Sequence, residues 1–249
     1  MSGKGYIILE HDDADANVFS NAFLPFKHRF SIMVTAAYVK VGSENVSSNL
    51  LLSRSVRNRK GACSISELRM MLASGRVDLQ NHSMSHTNLS YLTCEDSHLD
   101  CLEREVLGAS EWIEREFGVK PVAFTPPFLQ YLDWQEKYFN EWFRYWVGSL
   151  HADLDRWIRY LNDYPPPQKL RALYLSDEVI EAHGWAYVDE MMAYLMYNER
   201  LAVILMHGVD ENASSSRGRD ISRRNYYTLI SKLNRVGLED RLIRYSDLP

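Results

Sequence analysis

Nowhere in its 249 residues does this sequence hold an apolar run approaching the roughly 20 residues that a bilayer-crossing helix needs. The N-terminus also lacks a basic stretch followed by an apolar one, so no export signal is read, and the expected location is cytoplasmic with no membrane partner. Cysteine is scarce. Cys63, Cys94 and Cys101 are odd in number and show no C-x-x-C spacing, which argues against a disulfide framework and suits a reducing compartment. Basic charge is not in excess either: 28 lysines and arginines against 33 aspartates and glutamates leave a formal net charge of -5, which speaks against nucleic acid as a partner. No repeat, low-complexity tract or linker divides the chain, so residues 1–249 are expected to form one domain.

What is present is the composition of a globular protein, 46% hydrophobic and 24% charged, with length enough for a substantial core. Apolar runs at 6–9, 30–35, 77–79, 121–124, 201–206 and 242–245 read as strands. Ser64 and Glu67 have capping-box spacing and Gly75 stands where a C-terminal cap belongs, which predicts a helix between them. Leu99, Leu102, Val106, Ala109, Ile113 and Phe117 step by three or four residues up to Gly118, the pattern of an amphipathic helix. Helices are also read over 179–197 and 221–236. Residues 41–62 and 211–220 read as polar loops, and Arg54, Arg57, Arg59 and Lys60 in the first either meet an anionic substrate or simply meet solvent. The aromatic stripe from Trp134 to Trp146 is either core or a surface on which sugars stack. Strand then helix recurs about seven times, which predicts an α/β fold with a parallel sheet and helices outside.

The chemistry-bearing residues cluster in this order. Asn81-His82-Ser83-Met84-Ser85-His86 places two imidazoles four residues apart, and a helical turn between them would set both on one face toward one metal ion. A third ligand is sought in His11-Asp12-Asp13, where one carboxylate could bind the ion and the other take a proton from its water. The alternative is structural: Asp12 or Asp13 caps a helix running from Ala14 to Phe23, before Pro25. Asp12 and Asp13, His82, Pro126-Pro127 and His207 each follow a predicted strand, and in an α/β barrel such ends meet at one rim.

These residues resemble the polysaccharide deacetylases, metal-dependent carbohydrate esterases that share the nodulation-protein homology domain. Five short motifs define that family, and their order is kept from about residue 6 to residue 208. The first, T-F-D-D-G, corresponds to Glu10-His11-Asp12-Asp13-Ala14, and the second, H-[ST]-x-x-H, to His82-Ser83-Met84-Ser85-His86. The third, R-x-P-[YF], is met by Thr125-Pro126-Pro127-Phe128 in all but its first residue; the fifth, L-x-H, by Leu205-Met206-His207. The fourth, an aspartate and tryptophan cluster, is echoed by Asp153, Asp155 and Trp157.

The resemblance implies a distorted (β/α)7 TIM-like barrel in which Asp13, His82 and His86 bind a divalent ion, most often zinc. It implies Asp12 as general base, the backbone N–H of Phe128 as an oxyanion donor, and His207 as the acid that protonates the leaving amine. Leu205 and Trp157 would line the pocket for the acetyl methyl, with Pro127 beside the substrate. The implied reaction is removal of N-acetyl groups from an amino-sugar glycan. Two other readings stay open: hydrolysis of another C–N bond in a small cytosolic amide, and a non-catalytic module that binds carbohydrate or protein. Several residues depart from the pattern. Thr125 takes the place of an arginine that pairs with the base, His11 replaces an aromatic, and Ala14 replaces a glycine. His11 is a candidate extra ligand, although strand parity turns it away from Asp12.

Overall fold

The computed structural model describes residues 4–43, 61–92, 96–151, 157, 159–211 and 219–249. Its strands run in chain order as β1 (Tyr6–Asp12), β2 (Phe30–Val34), β3 (Val77–Asn81), β4 (Ala123–Phe124), β5 (Tyr145–His151), β6 (Asn162–Asp163), β7 (Lys169–Tyr174) and β8 (Arg200–Met206). All of these except β6 pair in parallel, in the order β1-β2-β3-β4-β5-β7-β8. β8 then pairs back on β1, from Tyr6 opposite Leu201 to His11 opposite Met206, and so closes a seven-stranded barrel. β6 lies antiparallel against the start of β8. The expected (β/α)7 barrel is therefore the observed fold.

Residue alternation along each strand separates two cores. Ile8, Met33, Ala123, Val147, Leu170, Ala172, Leu201, Val203 and Leu205 pack together in the barrel interior. Ile7, Leu9, Ile32, Val34, Leu79, Ala202 and Ile204 face the other way, against Leu68, Ala109, Ile113, Met191 and Leu229 from surrounding helices. Those helices include Ile65–Ala73, Asp96–Phe117, Ala186–Leu195 and Arg223–Arg235. The Ser64 and Glu67 capping box forms as its spacing predicts. The aromatic stripe resolves mainly as core, with Phe139, Phe143 and Trp146 buried against Phe124.

Several boundaries differ from the sequence reading. The helix read over 179–197 is two, Asp177–His183 and Ala186–Leu195, because Gly184 breaks it at φ 70°. Residues 41–43, read as loop, complete the helix Ala36–Ser43. The strand read over 121–124 shrinks to β4, since the Gln80 side chain takes the N–H groups of Val122 and Ala123, both at 2.8 Å. β1 extends to Asp12, and the helix read from Ala14 to Phe23 begins later, as Ala16–Val18 and Phe19–Phe23, capped by neither Asp12 nor Asp13. Its N-cap is Asp15, which makes no side-chain capping bond. The final strand, β11 (Leu242–Ile243), pairs with the early half of β1 below the point where β2 begins, leaving Tyr245 in the barrel interior. It follows two short strands at the rim, β9 (Val209–Asp210) and β10 (Ile221–Ser222). Arg54, Arg57, Arg59, Lys60, Cys94, Asp153, Asp155 and residues 212–218 lie outside the described residues.

Ile8 has no exposed surface and sits at the β1–β8 seam. Replacing it with alanine leaves a cavity that the closed barrel cannot collapse around, so Ile8→Ala is expected to cost about 2–5 kcal/mol, read as a lowered urea midpoint.

Candidate metal centre

Three loops at the C-terminal ends of β1, β3 and β4 build the site. They contain every non-glycine residue with positive φ among the described residues: Asp13 and Ala14, Ser83 and His86, Phe128 and Leu129. A side chain with a Cβ pays about 1 kcal/mol or more for that conformation, and such strain concentrates at functional sites. Here it bends the chain sharply at the strand ends and folds the loops over the barrel mouth. The helical turn expected between His82 and His86 does not form. Ser83 and His86 instead take left-handed angles of 71° and 58°, and Ser83 Oγ accepts the His86 N–H at 3.0 Å. The two imidazoles still converge, with ring centroids 5.1 Å apart.

Asp13, His82 and His86 each offer one donor atom within 4.8 Å of the others, and all three residues are buried. His86 Nε2 lies 3.2 Å and His82 Nε2 3.8 Å from Asp13 Oδ1. His82 Nδ1 donates to the Thr125 carbonyl at 2.7 Å, which fixes the tautomer and leaves Nε2 with its lone pair toward Asp13. Burial pushes the His82 imidazole down to about 3, outweighing the pull of Asp13, so the ring is neutral and competent as a ligand. Two imidazole nitrogens and one carboxylate oxygen are a donor set that suits zinc and its borderline neighbours. The residues present thus fit a divalent ion.

The other expected residues fall around this trio. Asp12 Oδ2 lies 3.9 Å from His82 Nε2. His207 Nε2 lies 4.0 Å from Asp13 Oδ2, whereas His82 and His86 face Oδ1. Asp12, His82, His86, Phe128, Leu205 and His207 share one cleft of about 260 Å³. Pro127 is buried behind that lining rather than part of it, and Trp157 packs on Tyr194 and donates to Glu190, so neither lines the cleft as expected. His11 is turned outward by strand parity and is no ligand. Its Nδ1 donates to the His207 carbonyl at 2.9 Å, and its other nitrogen faces the Tyr226 hydroxyl at 3.4 Å.

Sequence reasoning missed three contributors. Arg219 reaches Asp13 Oδ2 at 3.3 Å and Asp15 Oδ2 at 3.4 Å, so a guanidinium does enter the site, but beside the ligand carboxylate. Tyr174, the last residue of β7, donates to the Arg219 carbonyl at 2.8 Å and lies 3.5 Å from His207 Nδ1. Glu10 accepts the Thr125 hydroxyl at 2.8 Å. Of these only Tyr174 carried a usable signal, its position at the end of an alternating run.

The sequence profile of the polysaccharide deacetylase family matches residues 2–142. No curated protein matches the sequence closely enough to align with it. Among solved structures, the fold is similar to BA3943, a CE4 family pseudoenzyme from Bacillus anthracis, at 14% identity and a TM-score of 0.56, over 100% of this chain and 66% of that one. It is also similar to the Xyl-CE4 domain of a multidomain xylanase from the hindgut metagenome of Trinervitermes trinervoides, at 13% identity and 0.54, over 99% and 90%. BC0361, a polysaccharide deacetylase from Bacillus cereus, aligns at 21% identity and 0.44 over 59% of this chain, which spans only 40% of that one. A barrel of seven parallel strands with this rim, together with the profile match, defines the class: the chain belongs to the polysaccharide deacetylase family.

Two imidazoles behind the rim set a pH dependence. Burial pushes His11 down to about 4 and His28 down to about 3 from an ordinary 6.5. Below pH 6.5 the unfolded chain therefore binds protons that the folded chain refuses, and stability falls as acid is added until the folded values are reached. Each ring contributes about 1.4 kcal/mol per pH unit in that window. Urea midpoints are expected to decline steadily from pH ~6.5 to ~4.5, with a shallower slope in His28→Gln.

Proposed function

We propose that this chain is a metal-dependent hydrolase that removes N-acetyl groups from an amino-sugar-containing glycan. The observation that carries the reading is the buried trio Asp13, His82 and His86, with donor atoms within 4.8 Å, flanked in one cleft by Asp12 and His207. Family membership supports deacetylation in general. A divalent ion held by the trio, zinc being the first candidate, would supply Lewis acidity and bring the pKa of a water near 7.

The chain's own residues then divide the work. Asp12, beside His82 at 3.9 Å, takes the proton of the attacking water. The acetamide oxygen, as it gains charge, is met by the backbone N–H of Phe128, whose left-handed φ of 61° belongs to the loop lining the cleft. His207 lines the same cleft, 4.0 Å from Asp13 Oδ2, and protonates the departing amine, without which the tetrahedral adduct reverts. Tyr174 stands behind the imidazole and steadies its Nδ1 edge. Leu205, Leu129 and Leu150 give the cleft an apolar wall of the kind an acetyl methyl needs.

A second reading, a barrel that binds glycan without turnover, draws on Thr125, which carries no charge and spends its hydroxyl on Glu10.

Purified protein is expected to hold stoichiometric metal by elemental analysis, and Asp13→Ala and His82→Ala to lose it. Acetate release from chitooligosaccharides, peptidoglycan fragments and acetylated xylan is expected to fall about 10²- to 10⁴-fold in Asp12→Asn and His207→Ala. Metal bound with no acetate released from any of these would select the second reading; metal content unchanged in both ligand variants would defeat the first.

A further inference from the structure

The outer face of the helix Arg223–Arg235 borders an open groove of about 830 Å³ that shares no lining residue with the metal cleft. Its floor follows from sequence spacing. Arg224, Thr228, Ser231 and Arg235 recur at steps of four, three and four, so they form one stripe with an arginine at each end and small hydroxyl side chains between. At about 1.5 Å per residue, the two arginines stand roughly 16 Å apart along the axis. Trp185, just before the helix Ala186–Leu195, and Tyr227 add two aromatic surfaces to the lining.

The charges of the groove do not balance. Arg223 pairs with Glu211 at 2.6 Å and Lys232 with Asp189 at 2.7 Å. Arg224 and Arg235 are exposed, and neither forms an ion pair among the described residues. Helix stability accounts for only part of this. Arg235 in the last turn complements the helix dipole, whereas Arg223 and Arg224 open the helix, where positive charge is disfavoured and no acidic residue offsets it.

We propose that this groove is an accessory binding site for a carboxylate-bearing glycan chain, with Arg224 and Arg235 each holding a carboxylate and Trp185 and Tyr227 meeting sugar faces. That the ligand is a glycan rests on the hydrolase reading above, and the groove narrows that reading to an acidic polymer. A guanidinium fork matches a carboxylate with two parallel hydrogen bonds, and the Thr228 and Ser231 hydroxyls suit a sugar lying between the arginines. Nucleic acid fits less well. It carries a phosphate about every 3.4 Å of each strand, against a wider interval here and with Glu211 and Asp189 standing among the cations. A sugar polymer with one acid every few units presents charge at such an interval.

The groove also begins near the rim. Glu211 and Arg223 in its lining follow the cleft residues His207 and Arg219 by four positions each, which places them within roughly 14 Å of those residues. A long chain is thus held on the helix while one of its units enters the cleft.

Calorimetric titrations with a chelator present, so that no ligand is consumed, compare oligosaccharides of alternating N-acetylglucosamine and glucuronate with chitooligosaccharides of the same length. The acidic chain is expected to bind wild type roughly 2- to 30-fold more tightly, the range that two exposed ion pairs supply. That margin is expected to vanish in the Arg224→Ala/Arg235→Ala double variant and at high salt. Equal affinity for the two ligands in wild type, or a margin that survives in the double variant, overturns the proposal. A single-stranded oligodeoxynucleotide bound as tightly as the acidic glycan also overturns it, by marking a general polyanion surface. Acetate release from chitobiose, too short to span both sites, is expected to be unchanged in the double variant, and a loss there overturns the accessory role. If wild type releases no acetate from any glycan, the hydrolase reading falls, and the titrations still decide the groove.

Discussion

Asp13 has no surface open to solvent, yet its carboxyl meets Thr35, His82, His86, His207 and Arg219 within 4.0 Å. A carboxylate taken out of water without such partners costs several kcal/mol, enough to matter in a fold stable by only a few times that. The Thr35 hydroxyl donates to Oδ1 and the Arg219 guanidinium faces Oδ2, so both carboxylate oxygens are answered. The left-handed bends at Asp13, Ser83 and His86 are unfavourable in themselves, and they set the carboxylate and the two imidazoles around one point.

Thr125 ties that point to the barrel interior. Its carbonyl receives His82 Nδ1, its N–H donates to the Asn81 carbonyl at 3.1 Å, and its hydroxyl donates to Glu10. One residue therefore orients a ligand ring above and anchors an acid below.

The histidines divide by which face of the wall they occupy. His82, facing in, is neutral and aimed at the ligand cluster; His11 and His28, facing out, are neutral because burial leaves them no counter-charge and share the Tyr226 hydroxyl. His11 touches the site only through the His207 carbonyl, steadying the backbone that carries His207.

The local pattern of the chain determined the strands at β1, β2, β3 and β8, the capping box at Ser64, the amphipathic helix ending at Gly118, and the H-x-x-x-H spacing, because periodicity and caps act within a few residues. Strand parity alone turned His11 away from Asp12. The approach of Arg219 to Asp13 and of Tyr245 to Glu10 was decided only by barrel closure, and that of Tyr174 to His207 by the pairing of β7 with β8. Those pairs are 206, 235 and 33 residues apart along the chain. Side chains so separated meet because β8 takes one register on β1 and β11 takes the free lower edge, and registers between distant strands leave no local trace in a sequence.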